Sequence, residues 1–303
     1  MSERVTIVIP AYNEEDGIGG VIDKINDMYP DYTVLVIDDG STDQTADVVR
    51  TKEAKVVQHP YNKGSGAAIK TGLRAAETEL VVIIDADGQH DPIEIKKMLE
   101  YMPAYDLVVG ARTSESDSAW HRDIVNWAYN KLGSYVSEQK ILDLTSGFRI
   151  FKRSTILPYI NLLPNTFSWP TTSTLSLTKA GYNVKFHPIK ASRRIGRSKI
   201  KPIQDGLRFF FIIMRIATLF APFRVFSPIS IVFLIAGILY GSYTMMAYER
   251  FTNFAQLLMV LFVLIFMLGL IADQIAMLRF TLAGTNETQK SPDVLEDDTR
   301  TVD

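Results

Sequence analysis

The sequence predicts an α/β domain built on a mostly parallel sheet, followed by an interfacial helix and a two-helix transmembrane hairpin. Two observations predict the sheet. Short continuous apolar runs alternate with stretches of helical spacing across the first two thirds of the chain. Polar residues stand at the carboxyl ends of those runs, where open parallel sheets carry their sites. A third observation predicts the hairpin: after about residue 209 the apolar residues gather into two uncharged stretches.

The elements follow in order. VTIVIP (5–10) is an apolar run closed by Pro, and Ile18, Val21, Ile22, Ile25 and Met28 then recur at helical spacing. TVLVID (33–38) is a second run, after which Ser41, Thr42 and Asp43 supply N-cap residues for a helix. KVVQH (55–59) is a third, and NKGSGAAIKTGLRAAE turns through glycines into another helix. LVVIID (80–85) is a fourth, DPIEIKKMLEYM a helix, and DLVVGAR (106–112) a fifth. Strands apolar throughout imply a sheet covered on both faces. Pro10, Asp38, Asp39, Asp85, Asp87 and Arg112 all fall at strand ends.

Ser227 to Ala247 and Phe254 to Ala272 each give about twenty uncharged residues, enough to cross a hydrocarbon core as a helix. The joint YERFTN makes them antiparallel. Before the first span, Arg193, Arg194, Arg197, Lys199, Lys201, Arg208, Arg215 and Arg224 face a single acid, Asp205. The joint carries only Arg250 against Glu249, so the basic excess predicts a multi-pass cell-membrane protein with its N-terminal domain and tail in the cytoplasm. Residues 205–220 mix Arg208 and Arg215 with phenylalanines and isoleucines, which suits a helix in the membrane interface; a surface helix on the main domain is the alternative. The expected organisation is an α/β domain over 1–200, an amphipathic segment over 201–225, two spans over 226–280 and an acidic disordered tail over 281–303.

The formal net charge is −2, so total charge names no partner, and no nucleic acid is expected as one. The absence of Cys excludes disulfides, thiolate catalysis and Cys-based zinc sites. MSERVTIVIPAYNEED is charged early and lacks an apolar leader segment, which again predicts a cytoplasmic start.

The chemistry concentrates in DADGQ (85–89). Two carboxylates at i and i+2 on a turn, beside the Gln89 amide oxygen, offer hard ligands to Mg²⁺ or Mn²⁺. A calcium loop of the EF-hand type is excluded, because Gly88 is at the fourth position and Lys96 at the twelfth. In VIDDGSTD, Asp38 and Asp39 can accept hydrogen bonds from a base or a ribose. In IPAYNEE, Pro10 fixes a turn, Tyr12 can stack on a ring and Glu14 can accept hydrogen bonds. Gly64 and Gly66 precede a helix without a phosphate-loop signature and read as a turn with close helix packing. His59, His90, His121 and His187 show no metal spacing and are expected to be mostly surface or satisfied polar residues.

PAYNE, VIDDGSTD, DADGQHDP, TSGFRIF and RRIGRSK, in this order, resemble the family 2 glycosyltransferases, with the dolichol-phosphate mannosyltransferases and related polyprenyl-phosphate glycosyltransferases as the nearest subgroup. The resemblance covers about residues 4 to 200. It implies a GT-A fold, a UDP- or GDP-sugar donor, an inverting and metal-dependent transfer, and a polyprenyl or dolichyl phosphate acceptor. It also implies roles. Pro10, Tyr12, Glu14, Asp38, Asp39 and Asp85 would hold the nucleotide sugar, and Asp85, Asp87 and Gln89 the Mg²⁺ or Mn²⁺. Asp87, Arg112 and Arg149 would be catalytic, and Arg122, Ser146, Arg193, Ser198 and Lys199 would meet the acceptor phosphate. The R-x-x-G-x-S-K pattern is met by Arg193, Gly196, Ser198 and Lys199. The chain lacks the Q-x-x-R-W motif of processive synthases, which argues against a polymerase. Thr171, Thr172 and Ser173 stand where the mannosyltransferases commonly carry a Glu, so the sugar is left open. A different lipid or a lipid-linked oligosaccharide is the alternative acceptor. Homo-oligomerisation is left open.

Overall fold

The computed structural model describes residues 5–113, 120–190, 214 and 218–285. The chain divides into two compact units, one carrying the sheet up to Pro202 and one spanning Ile203–Leu282.

In the first unit the apolar runs form β1 (Val5–Ala11), β2 (Thr33–Asp38), β3 (Lys55–Gln58), β4 (Leu80–Ile83) and β5 (Leu107–Arg112). Two further strands, β6 (Arg149–Lys152) and β7 (Val184–Ile189), complete a seven-stranded sheet of order β3-β2-β1-β4-β6-β5-β7. β6 is antiparallel to both its neighbours; the other pairings are parallel. Because β6 runs backwards, the chain just before it emerges at the carboxyl edge of β1, β2, β4 and β5.

The helices are α1 (Ile18–Met28), α2 (Thr45–Arg50), α3 (Ser65–Ala75), α4 (Glu94–Leu99), α5 (Trp120–Ser137), α6 (Arg153–Ile156) and α7 (Trp169–Lys179). Alternation along the strands divides the core. Ile7 and Ile9 of β1 join Val34 and Val36 of β2 and Val82 of β4 against Ile18, Ile22 and Ile25 of α1 and Ile95 and Met98 of α4. Val8 points the other way, onto α3, where Gly72 lacks the side chain that would strike its Cγ1. Each branched side chain removed from water in this way contributes about 1.5–3 kcal/mol. The expected N-cap role of Ser41, Thr42 and Asp43 is corrected for the first two and met in part by Asp43. α2 starts at Thr45 after Gln44, whose side chain makes no cap. Asp43 Oδ1 accepts the Thr45 amide at 3.0 Å and so satisfies the first amide of α2. Ser41 instead accepts the Asn13 amide at 2.9 Å, which ties two loops together.

The second unit holds α8 (Pro222–Tyr248) and all but the last turn of α9 (Asn253–Thr285), each long and apolar enough to cross a membrane. Glu249, at φ 51°, ends α8 in a left-handed turn, and the return helix starts four residues later. Glycines set the spacing: Gly237 faces Leu258 and Met259, Gly241 faces Phe251, and Gly269 faces Phe226. Val232, Leu239, Met246 and Met277 lie mostly exposed, the face a lipid environment would cover. Both helices outrun the predicted spans. α8 takes in residues 222–225 of the expected interfacial segment. α9 continues through Asp273 and Arg279 into the expected tail, because no Pro interrupts the sequence there. Residues 201–213, 215–217 and 286–303, on which most of the remainder of those two expectations falls, lie outside the described residues.

Candidate active site

The loops at the carboxyl edge form a continuous band in the order of the strands. Asp39 N donates to Ala11 O at 2.8 Å, and Thr42 N donates to Asn13 Oδ1 at 2.9 Å, which joins the loops after β1 and β2. Asn13 holds its place at φ 54°. Gly40, at φ 72°, lets the loop after β3 cross at Tyr61 with no room for a Cβ. On the other side, a Cβ on Gly17 would stand 3.2 Å from Ala86 O, between the two acids of DADGQ.

The adjacent acids after β2 have different surroundings. Asp39 is buried and fully engaged: Oδ1 meets His59 Nδ1 at 2.7 Å and accepts the Lys63 amide at 3.0 Å, while Oδ2 accepts the Gly64 amide at 2.7 Å. His59 Nε2 lies 2.9 Å from Thr71 Oγ1. Asp39 thus fixes the Gly-rich turn, whose Gly66 amide in turn donates to Asn165 O at 2.9 Å. Asp38 is equally buried, but only Oδ1 is engaged, by the Ser41 amide at 3.0 Å; Oδ2 has no hydrogen-bond partner among the described residues. A buried acceptor of this kind needs a donor from outside.

Asp85, Asp87 and Gln89 are partly exposed on the turn after β4, which Gly88 makes at φ 69°. Asp87 Oδ1 accepts the Gln89 amide at 3.1 Å. Asp85 lies against Gly147, where a Cβ would stand 2.7 Å from its Oδ2 and 3.0 Å from its Oδ1. The glycine therefore makes a cradle for this carboxylate. Among the described residues no group of three His, Asp or Glu converges as a complete metal cage. Two carboxylates with an amide oxygen suit Mg²⁺ or Mn²⁺ of the kind completed by phosphate and water oxygens.

The loop before β6 supplies an acid absent from the sequence-based candidates. Asp143 is buried, and Arg112 donates to it through Nε at 2.8 Å and Nη2 at 3.0 Å. Its Oδ1 also accepts the amides of Thr145 at 3.0 Å and Ser146 at 3.1 Å. Burial alone would raise the Asp143 carboxyl, but the Arg112 guanidinium, with the Arg112 and Thr145 amides, holds it below the usual carboxylate range. Its only sequence signal is the turn-like spacing of Asp-x-Thr-Ser before the β6 run. Ser146 is buried, with an Oγ that has no partner among the described residues.

Arg149 lies entirely out of solvent beneath this loop. Nε donates to Ser146 O at 2.7 Å and Nη2 to Leu144 O at 3.1 Å. Nη1 donates to Ser173 Oγ at 3.1 Å and Thr174 Oγ1 at 2.6 Å, and the guanidinium stands 5.5 Å from the Trp169 ring. Burial pushes it down to about 9, so it remains a cation at neutral pH. The hydroxyl-rich start of α7 thus solvates a buried cation.

Pro10 is half-buried, Tyr12 is exposed, and Glu14 anchors the entry to α1 through its carbonyl, which accepts from Gly17 and Ile18. The expectation of mostly surface or satisfied histidines is met at His59, whose two ring nitrogens face Asp39 and Thr71, and is corrected at His90 and His187. His59, His90 and His187 are buried beside Asp39, Asp85 and Glu94 respectively. His90 Nδ1 and His187 Nδ1 have no partner among the described residues. The side chains of Arg122 and His121, and all of Arg193, Ser198 and Lys199, lie outside the described residues.

A mostly parallel sheet with one reversed strand and acids gathered at its carboxyl edge defines a GT-A-type transferase domain. Residues 6–157 match Glycosyl transferase family 2, and residues 221–278 match the GtrB C-terminal hairpin. The chain belongs to glycosyl transferase family 2 and is a glycosyltransferase. The undecaprenyl-phosphate mannosyltransferase of Micrococcus luteus is 27% identical over 212 residues, 65% of this chain and 87% of that protein. The dolichyl-phosphate hexose transferase of Haloferax volcanii is 27% identical over 213 residues, 67% of this chain and 90% of its own. The solved structure of glucosyl-3-phosphoglycerate synthase from Mycobacterium tuberculosis, with Mn²⁺, UDP-glucose and phosphoglyceric acid, matches with a TM-score of 0.57 at 20% identity, covering 71% of this chain and 78% of that one. At that identity the likeness is one of fold.

Proposed function

We propose that this chain moves one sugar from a UDP- or GDP-sugar onto a polyprenyl or dolichyl phosphate, with inversion, at the cytoplasmic face of the membrane that its hairpin spans. The observation that carries the reading is the pairing of two features at one sheet edge: the cradled Asp85 with Asp87, and the open acceptor Asp38 Oδ2. The relatives from M. luteus and H. volcanii, whose names specify polyprenyl-phosphate acceptors, support it, as does the GtrB-type hairpin.

Asp85, Asp87 and Gln89 would hold Mg²⁺ or Mn²⁺, which when bound offsets the charge developing on the leaving nucleoside diphosphate. Asp38 Oδ2 accepts a hydrogen bond from the nucleoside, and Tyr12 offers a ring face beside it; Pro10 and Glu14 shape that loop. Asp39 acts one step back, by fixing the Gly-rich turn. Arg112 and Arg149 hold the loop over 143–146, and Arg149 adds positive potential beside Asp85. The acceptor phosphate is already ionised at neutral pH and needs little base assistance. Its approach to the diphosphate is a meeting of anions, which Arg122, Arg193, Ser198 and Lys199 would ease and orient.

The test is incubation of membranes containing the protein with Mn²⁺, a polyprenyl phosphate and a panel of radiolabelled UDP- and GDP-sugars. Label from one donor in the lipid extract is expected and names the sugar. No label from any donor, with nucleotide binding intact, would move the acceptor to another lipid or a lipid-linked oligosaccharide.

A further inference from the structure

We infer that His90 is a positioning residue that orients the Asp85 carboxylate for the divalent cation, an assignment that rests on the metal reading above.

The His90 ring is buried and stacked on Phe148, with centroids 5.3 Å apart and planes 29° from parallel. Its Nε2 lies 3.6 Å from Asp85 Oδ2, while Nδ1 is buried with no hydrogen-bond partner among the described residues. Asp85 is therefore the polar group the ring faces. An orphaned buried N–H is costlier than an orphaned lone pair, so Nε2 is the nitrogen that offers its N–H to the carboxylate. The separation exceeds a hydrogen bond, and a rotation of the carboxylate by a few tenths of an ångström closes it.

An apolar ring would fill the same space and stack on Phe148 without burying an unpaired nitrogen. What the imidazole adds is the donor facing Asp85. Gly147 also confines the carboxylate, with a missing Cβ that would sit 2.7 Å from Oδ2. Gly147 and Phe148 are consecutive, so one short segment before β6 both leaves room for Asp85 and backs the ring that faces it. Carboxylates that bind metals are themselves held by outer partners, whose loss lowers metal affinity by about 10- to 100-fold.

The test compares His90→Phe, which keeps a stacking ring, with His90→Gln, which keeps an N–H donor. Mn²⁺ affinity is read from the free-ion electron paramagnetic resonance signal of the full-length protein in detergent, with UDP and separately with GDP. Thermal unfolding is followed in parallel. His90→Phe is expected to unfold near the wild-type temperature while binding Mn²⁺ about tenfold more weakly, with His90→Gln within about threefold of wild type. Should the Phe variant not fold, His90→Met against His90→Gln poses the same question with two unbranched chains, and the Met variant is expected to be the weaker binder. Wild-type Mn²⁺ affinity in the donor-free variant, alongside lost binding in Asp85→Ala, overturns the role of His90 alone. Unchanged binding in Asp85→Ala overturns the metal reading itself, and the role of His90 with it.

Discussion

Arg112 closes on Asp143 through two guanidinium nitrogens, Nε at 2.8 Å and Nη2 at 3.0 Å, across 31 residues of sequence. The pair locks the end of β5 to the loop before β6, and Asp143 continues the lock through the amides of Thr145 and Ser146. Asp143→Asn is expected to destabilise the sheet domain by roughly 2 kcal/mol, at the low end for a buried pair because Arg112 keeps some solvent access. The pH dependence has a definite sign. The folded carboxyl is held below its ordinary value, so its stabilisation is present above about pH 4 and is lost as pH falls through the folded value. Thermal unfolding from pH 7 down to 3 should show a steeper acid loss in wild type than in Asp143→Asn. Parallel curves would remove Asp143 from the account.

Asp38 and Asp39 are neighbours with separable roles. Asp39→Asn weakens the hold on His59, Lys63 and Gly64 and should lower stability by about 1.5–3 kcal/mol, seen by denaturant unfolding. Asp38→Asn should leave stability within about 1 kcal/mol, since one of its oxygens is already unmatched, and raise the donor KM about tenfold. The reverse pattern, with donor affinity following Asp39, would exchange the two assignments.

Gly147→Ala tests the cradle independently of His90. The added methyl stands 2.7 Å from Asp85 Oδ2, so the carboxylate must turn away. Mn²⁺ affinity should fall about tenfold with near-normal unfolding. Wild-type Mn²⁺ binding in this variant would mean that the Asp85 orientation seen here is irrelevant to the ion.

Thr174 reports on the buried cation. Thr174→Val keeps the shape and removes the oxygen 2.6 Å from Arg149 Nη1. A loss of about 1–3 kcal/mol is expected, from a charged donor left short of an acceptor. A variant as stable as wild type would show that Ser173 alone satisfies that nitrogen.

The parallel half of the sheet was legible because β1, β2 and β4 are continuous branched runs, each closed at or near its end by a residue that breaks the pattern, Pro10, Asp38 and Asp85. β6 was hidden by its four residues, RIFK, which begin with a fully buried Arg. A buried guanidinium is intelligible only once the hydroxyls of α7, 24 and 25 residues later, are folded over it. The acids of DADGQ could be read locally, since their spacing is itself the signal. The histidines could not: His187 meets Glu94 across 93 residues, and His59 meets Asp39 across 20. Asp143 escaped for the same reason, because its partner stands on a strand that only β6 brings alongside.

The central claim is metal-assisted transfer of a sugar to a lipid phosphate, and the most direct measurement pairs wild type with Asp87→Ala in the radiolabel assay. With the donor that labels polyprenyl phosphate, wild type should transfer label in the presence of Mn²⁺ and lose it on chelation, and Asp87→Ala should give less than about a hundredth of that rate. Equal labelling by the variant, or labelling indifferent to chelation, would contradict the account.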